Sequence, residues 1–319
     1  VKVGIVYSKT RMEDLEEEIY ENKRMKGKTL DAVKEALYKE NDVLLLNEDV
    51  LDLNSLKTVD IVFNLSTGLR GESKQSHIPA VLERLGIPYT GSGVLSHAVG
   101  LNKPVSKEIF VANNIPTPEF LTVRTSEIQL DHLLKYPLIV KPTNGGSSRG
   151  IIKVESASGV GPALATTLDA YGKALVEEFI EGKEITVGIL GNERLKVLPI
   201  LETDFEGCEA SLYNFDIKAE IGYTQDNTFA ANLTEMQEQR VHEVATGAYR
   251  AIGCRDYARV DIRLHNDTPY VLEINTLPGL YLDYSAIPAM AKIEELSFDT
   301  LIRKIFYYAV LRCNLGKNF

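Results

Sequence analysis

Three oxygen-bearing side chains stand on two neighbouring strand-like patterns in the last third of the chain. Asp261 lies in Arg259-Val260-Asp261, and the other two in Glu273-Ile274-Asn275. Residues two apart on a strand point to one side of a sheet, so Glu273 and Asn275 can face a single ligand. Two carboxylates and an amide oxygen form an all-oxygen set that Mg2+ accepts when phosphate oxygens complete its shell. Taken singly, each is more often a satisfied polar residue at a strand end.

A second group of residues suits phosphate. Asn144-Gly145-Gly146-Ser147-Ser148-Arg149-Gly150 separates two strand patterns, and its glycines let backbone N–H groups converge while the serines add hydroxyl donors. It lacks the Gly-Lys-Ser/Thr ending of a P-loop and precedes a strand, not a helix. Alone, such a run is more often a plain turn. Candidate cations are Lys103, Lys141, Lys218 and Arg259. Lys141 follows the apolar run Pro137-Leu138-Ile139-Val140, where an unpaired ammonium is costly and a phosphate is its natural partner. Lys107 is grouped with the solvated surface lysines. Finally, the Asn275-Thr276-Leu277-Pro278-Gly279-Leu280 turn, with Ser285 beyond it, offers a glycine N–H and a hydroxyl to a carboxylate, although an ordinary Pro-Gly turn reads the same way.

The elements that must position these residues follow from periodicity. Val1 to Tyr7, Asp42 to Leu46 and Ile61 to Asn64 read as buried strands, with a helix bearing Leu30, Val33 and Leu37 between the first two. That alternation predicts a parallel sheet covered by helices. The first turn, Ser8-Lys9-Thr10-Arg11, has no glycine and so is no dinucleotide fingerprint. Pro79 and the run Gly86 to Gly93 read as turns that close a first lobe near Val99, and Ile115-Pro116-Thr117-Pro118 reads as a second extended stop. Strands are expected at 138–141, 151–154, 175–178, 185–190, 258–264 and 270–273. Thr234 with Gln237 predicts a capping box opening a helix whose stripe is Val241, Val244, Ala245, Ala248 and Ile252, ended by Gly253. A closing helix carries Leu301, Ile305 and Ala309 on one face.

Bulk properties exclude several classes. At 319 residues, 44% hydrophobic and 25% charged, the chain suits two or three compact lobes. A net charge of −10 disfavours a nucleic-acid partner. Cys208, Cys254 and Cys313 lie far apart, as packed thiols of a reducing compartment do. With no signal peptide and no apolar run of ~20 residues, no membrane association is expected and the predicted address is cytoplasmic.

In this order the blocks resemble the D-alanine–D-alanine ligases and their relatives in the ATP-grasp superfamily. The matching text includes Gly86-Ile87-Pro88-Tyr89-Thr90-Gly91-Ser92, Leu101-Asn102-Lys103, Val140-Lys141-Pro142, Val176-Glu177-Glu178-Phe179-Ile180, Gly182-Lys183-Glu184, Arg259-Val260-Asp261 and Glu273 to Gly279. The resemblance implies an α/β (α+β) ATP-grasp fold. Its parts would be a Rossmann-like parallel-sheet lobe over 1–99, a small central α+β lobe over 100–182 and an antiparallel-sheet lobe over 183–319. It implies an ADP-forming ligase that joins a carboxylate to an amine through an acylphosphate. ATP would be held by Lys103, Lys141, Ser147, Ser148, Glu177, Glu178, Ile180, Glu184 and Lys218. Asp261, Glu273 and Asn275 would bind Mg2+, two ions, with Mn2+ as an alternative. Arg259, Lys218 and Ser147 would be catalytic, and Arg259, Gly279, Ser285 and Glu72 would contact substrate. Partners are then small amino acids or related carboxylates and amines, and by analogy with the family a second copy of the chain.

Departures from the family pattern cluster at the amino-acid sites. The segment Lys9 to Glu18 lacks a Ser-x-Glu counterpart; Glu13 and Glu16 stand nearest to it, in a run that reads better as a solvated acidic helix face. Thr67-Gly68 replaces His-Gly, Ala219 replaces the tyrosine after the γ-phosphate lysine, and the turn from Pro278 to Ser285 is one residue longer. Arg70, Lys74 and His77 suit a larger or more acidic acceptor. The readings left open are the same chemistry on another substrate pair, and a nucleotide-binding regulator without catalysis.

Overall fold

The computed structural model describes residues 1–8, 18–128, 132–144, 150–203, 228–282 and 284–315. The first sheet is parallel, in the order β2-β1-β3, with β1 at Lys2–Tyr7, β2 at Asp42–Asn47 and β3 at Ile61–Asn64. Helix α1 (Glu18–Tyr38) links β1 to β2 and buries Val33, Ala36 and Leu37. Parallel neighbours require such a crossover, which is why the strand–helix–strand pattern was readable.

Short α2 (Leu53–Leu56), capped by Asp52, leads to β3. Beyond it come α3 (His77–Leu85), α4 (Val94–Leu101) and α5 (Lys103–Ala112). Pro79, expected in a turn, instead sits in the first turn of α3. A proline is tolerated there because the N–H it lacks would have no intrahelical acceptor. Val99 falls inside α4.

The second sheet is antiparallel, β4-β7-β5-β6, from β4 (Phe120–Val123), β5 (Leu138–Pro142), β6 (Ile152–Val154) and β7 (Ala174–Glu178). Helix α6 (Ala157–Tyr171) covers it with Val160, Ala163 and Leu164. The third sheet runs β11-β10-β8-β12-β13. Its strands are β8 (Lys183–Gly191), β10 (Leu201–Thr203), β11 (Thr228–Ala230), β12 (Tyr257–His265) and β13 (Thr268–Asn275), and β9 (Leu195–Val197) pairs beside β8. Helix α7 (Glu235–Ile252) covers one face, and the Thr234–Gln237 capping box and Gly253 C-cap are both present as expected.

Alternation then sorts the side chains of the third sheet. Ile185, Val187 and Ile189 of β8, and Ala258, Val260, Ile262 and Leu264 of β12, join the core under α7. The intervening residues, Glu184, Thr186 and Gly188, and Arg259, Asp261 and Arg263, face the other way. Helices α8 (Ala286–Ile293) and α9 (Phe298–Arg312) complete the chain, and α9 packs beside α1 in one core with β1 and β3. Fully buried Asp256 fastens the parts together. It accepts from Gly91 N–H, from Asn192 Nδ2, and from both Nε and Nη2 of Arg312.

Candidate active site

The polar face of β12 and β13 carries a continuous chain of contacts. Antiparallel register sets Asp261 opposite Glu273 and Arg259 opposite Asn275. Asn275 Nδ2 donates to Asp261 Oδ2 at 3.2 Å and to Glu273 Oε1 at 3.3 Å. Arg259 donates Nε and Nη2 to the two oxygens of Asp261 at 2.9 and 2.7 Å. Lys103 Nζ stands 3.2 Å from Glu273 Oε2. The side chains expected to share one ligand therefore converge, with two cations at the ends of the row.

Lys103 reaches this place because α5 starts there. Asn102 caps the helix by accepting from Val105 N–H, and Lys103 N–H donates to Thr143 O at 2.9 Å. The same tie holds the residue that follows β5 against the start of α5. Ser147 and Ser148 lie outside the described residues, as do Lys218, Ala219, Asp283, Glu13 and Glu16.

One of two expectations about lysines is corrected, that for Lys107. Lys141 is buried as expected and forms an ion pair with the Glu177 carboxylate on the adjacent strand β7. Lys107, expected on the surface, is 0% exposed and lies 2.9 Å from Glu177 Oε2. Burial would raise the Glu177 carboxyl, yet the two ammonium groups outweigh it and hold the group below the usual carboxylate range. Burial pushes Lys107 down to about 8 despite the Glu177 charge. A signal for Lys107 was present: it stands one helical turn beyond Lys103 and three residues before buried Phe110, on the inward stripe of α5.

Glu184 and Arg263 form a third pair. They are directly opposed in the β8–β12 register, and Arg263 Nη2 is 2.7 Å from Glu184 Oε2. Arg263 Nη1 also donates to Gly182 O at 2.9 Å, and its guanidinium lies over the Phe179 ring, with Lys153 Nζ 4.3 Å from that ring's centroid. Arg263 was not singled out from sequence, although Arg259, Asp261 and Arg263 alternate on one strand. Glu178 accepts from Lys135 N–H at 2.8 Å, and half-buried Ile180 follows β7 in the link to β8.

Gly279 and Ser285 are brought together: a Cβ at Gly279 would come within 2.8 Å of Ser285 Oγ, which accepts from Tyr281 N–H. Ser285 precedes α8, and that helix lies against the same sheet face as Arg259. Gly188 pairs with Arg259 across the ladder, and a Cβ there would meet Met290 Sδ at 2.6 Å. Glu72 stands apart, 67% exposed, with Lys173 as its ionic neighbour at 3.6 Å.

The set fits magnesium in its chemistry. Asp261 and Glu273 supply hard oxygens, and the Asn275 amide, hydrogen-bonded to both, can present its oxygen by rotating the planar group. No described helix is long and apolar enough to cross a membrane.

Comparison with known proteins identifies the family. The family model described as the D-ala D-ala ligase C-terminus matches residues 109–307. An uncharacterized protein, y4sG, of Sinorhizobium fredii (strain NBRC 101917 / NGR234) is 36% identical over 251 residues, covering 78% of this chain and 74% of its own. The D-alanine–D-alanine ligase of Thermotoga maritima is 35% identical over 288 residues, covering 88% and 91%. Among solved structures, the Bacillus anthracis D-alanine–D-alanine ligase complexed with ATP superimposes with a TM-score of 0.78 at 25% identity, covering 99% of both chains. The VanG D-Ala:D-Ser ligase of Enterococcus faecalis gives 0.77 at 23% identity over 97% of this chain and 99% of that one, a likeness of fold. The chain belongs to the D-alanine–D-alanine ligase family and is an ATP-dependent ligase with the ATP-grasp fold.

Proposed function

We propose that the protein joins the carboxylate of one small amino acid to the amine of another, splitting ATP to ADP and phosphate through an acylphosphate. The observation that carries this reading is the row Lys103–Glu273–Asn275–Asp261–Arg259 on one sheet face. A carboxylate is a poor electrophile because its leaving group would be oxide. Taking the γ-phosphoryl group converts that oxygen into phosphate, which an attacking amine can expel.

In this reading Lys103 and Lys141 bind phosphate oxygens, joined by Lys218, Ser147 and Ser148. Backbone groups of Glu177, Glu178 and Ile180 hold adenine, and Glu184, oriented by Arg263, takes the ribose hydroxyls. Asp261, Glu273 and Asn275 are the residues that hold Mg2+, which when bound neutralises phosphate charge. Arg259, oriented by its two bonds to Asp261, presents its guanidinium to oxygens that gain charge during transfer. Gly279 N–H and the N-terminal end of α8 beside Ser285 receive a substrate carboxylate. Closing the site against water protects the acylphosphate from hydrolysis.

D-alanine is the first substrate to test, since relatives carry that name. A second reading, the same chemistry on a different amino-acid pair, draws on Thr67, on the longer turn before Ser285, and on Glu72, which stands at the surface with Lys173. Mass spectrometry of products from ATP, Mg2+ and a mixed amino-acid pool separates the readings. A D-alanyl-D-alanine peak supports the first, another dipeptide or amide the second. No ADP with any amine overturns both and favours a nucleotide-binding regulator.

A further inference from the structure

Lys107, Glu177 and Lys141 form a buried cluster in which one carboxylate serves two ammonium groups. Glu177 Oε2 faces Lys107 Nζ, and Oε1 accepts from Lys141 Nζ. Each member comes from a different element, α5, β7 and β5, so the cluster ties the helix that starts at Lys103 to the second sheet.

Lys107 is enclosed where it stands. Its ammonium donates to Thr117 Oγ1 at 2.6 Å, and Thr117 in turn donates to Val271 O of β13. The remaining side is closed by the Phe120 ring, whose centroid is 5.5 Å away. With 0% exposure it has no path to a substrate. Lys141 differs, because it stands near the end of β5, and among the described residues its ion pair is with Glu177.

Among the described residues the cluster itself holds two ammonium groups and one carboxylate. The Glu273 carboxylate also acts on Lys107 but is paired with Lys103, so the three buried groups carry one surplus positive charge where an uncompensated charge is costly. An anion arriving at Lys141 relieves that cost. Were Lys107 neutral, Glu177 would pair with Lys141 alone, and the attraction for an incoming anion would fall.

We propose that Lys107 is a positioning residue of the nucleotide site, which shares Glu177 so that Lys141 stays electrically available to a nucleotide phosphate. This rests on the reading that Lys141 binds ATP, and it adds a charge balance that this reading does not contain.

The test is a charge-balance series read by calorimetric titration of Mg-ATP in the absence of amino acids. Lys107→Gln removes the surplus, and ATP should bind about tenfold more weakly, while the KM for amino acids stays unchanged. Lys107→Gln combined with Glu177→Gln restores a net single positive charge, and affinity should return to within about threefold of the wild type. A cluster that matters only for packing would not be rescued by a second buried substitution. Single-variant binding equal to wild type, or a double variant as weak as the single one, overturns the proposal. If Lys107→Gln does not fold by circular dichroism, the double variant against wild type decides by the same thresholds. A wild type that turns over amino acids with ATP but gives equal binding across the series overturns this inference alone. A wild type that binds no ATP overturns the functional reading with it.

Discussion

Val271 and Glu273 are two residues apart on one strand yet face opposite sides of the sheet. The β12–β13 register shifts between Asp261 and Ile262: Asp261 pairs with Glu273, while Ile262 pairs with Val271, so Leu272 is an extra residue. This bulge lets Val271 join Ile274 in the core under α7 while Glu273 turns to Asp261 and Lys103. Bulges are used where a sheet must re-aim a side chain next to a reactive site.

Glu273→Gln tests what the re-aimed carboxylate does. The amide is isosteric and can still meet Asn275, so the melting temperature should stay close to wild type. It removes one hard anionic ligand and leaves Lys103 without its carboxylate partner at 3.2 Å. ADP release should fall by about a hundredfold or more, with partial recovery at high Mg2+ or Mn2+. Unchanged turnover would remove Glu273 from the metal set.

Arg259→Lys asks whether the fork at Asp261 matters beyond charge. An ammonium cannot reproduce the two parallel bonds at 2.9 and 2.7 Å. The expected result is a fall in kcat of about a hundredfold with KM for ATP changed much less. A loss confined to ATP affinity would place the residue with the ground-state contacts of the nucleotide.

The legible parts of this molecule are those written in short periods. The capping box at Thr234 and Gln237, the stripe of α7 and the parallel first sheet all follow from local spacing. Asp261, Glu273 and Asn275 could be chosen from residue type and alternation, and the sheet brings them together. The bulge at Leu272 was not legible, because one extra residue reverses every later side chain without altering composition. Lys107 was misread for a related reason. A lysine is surface-seeking by type, and its burial depends on Glu177 and Thr117, brought from distant positions by tertiary packing.

Gly182→Ala should damage both fold and nucleotide handling. Gly182 has φ +118, and a Cβ there would lie 2.1 Å from Leu264 O, a backbone atom that cannot turn aside. Its carbonyl accepts from Arg263, which orients Glu184. Loss of about 3 kcal/mol in denaturant unfolding is expected, with weakened ATP binding in whatever fraction folds. A variant within about 1 kcal/mol of wild type would mean that the β7–β8 link relaxes freely.

His97 makes stability depend on pH in a definite direction. Its ring is fully buried, with Nδ1 2.8 Å from Thr276 Oγ1, and burial together with the nearby Arg255 charge pushes its pKa from 6.5 to about 4. The Ser92 backbone contact opposes this only in part. Because the folded pKa of this base is depressed, the unfolded chain takes up a proton below about pH 6.5 that the folded chain refuses. Stability is therefore lost progressively as pH falls from about 6.5 to about 4, by about 3 kcal/mol in total from this group. His97→Asn can keep a bond to Thr276 without a titrating ring. Urea unfolding at about pH 7 and about pH 5 should show the wild type losing about 2 kcal/mol more than the variant. Equal losses would mean that His97 is protonated in the folded protein, with its charge met by a partner other than Thr276.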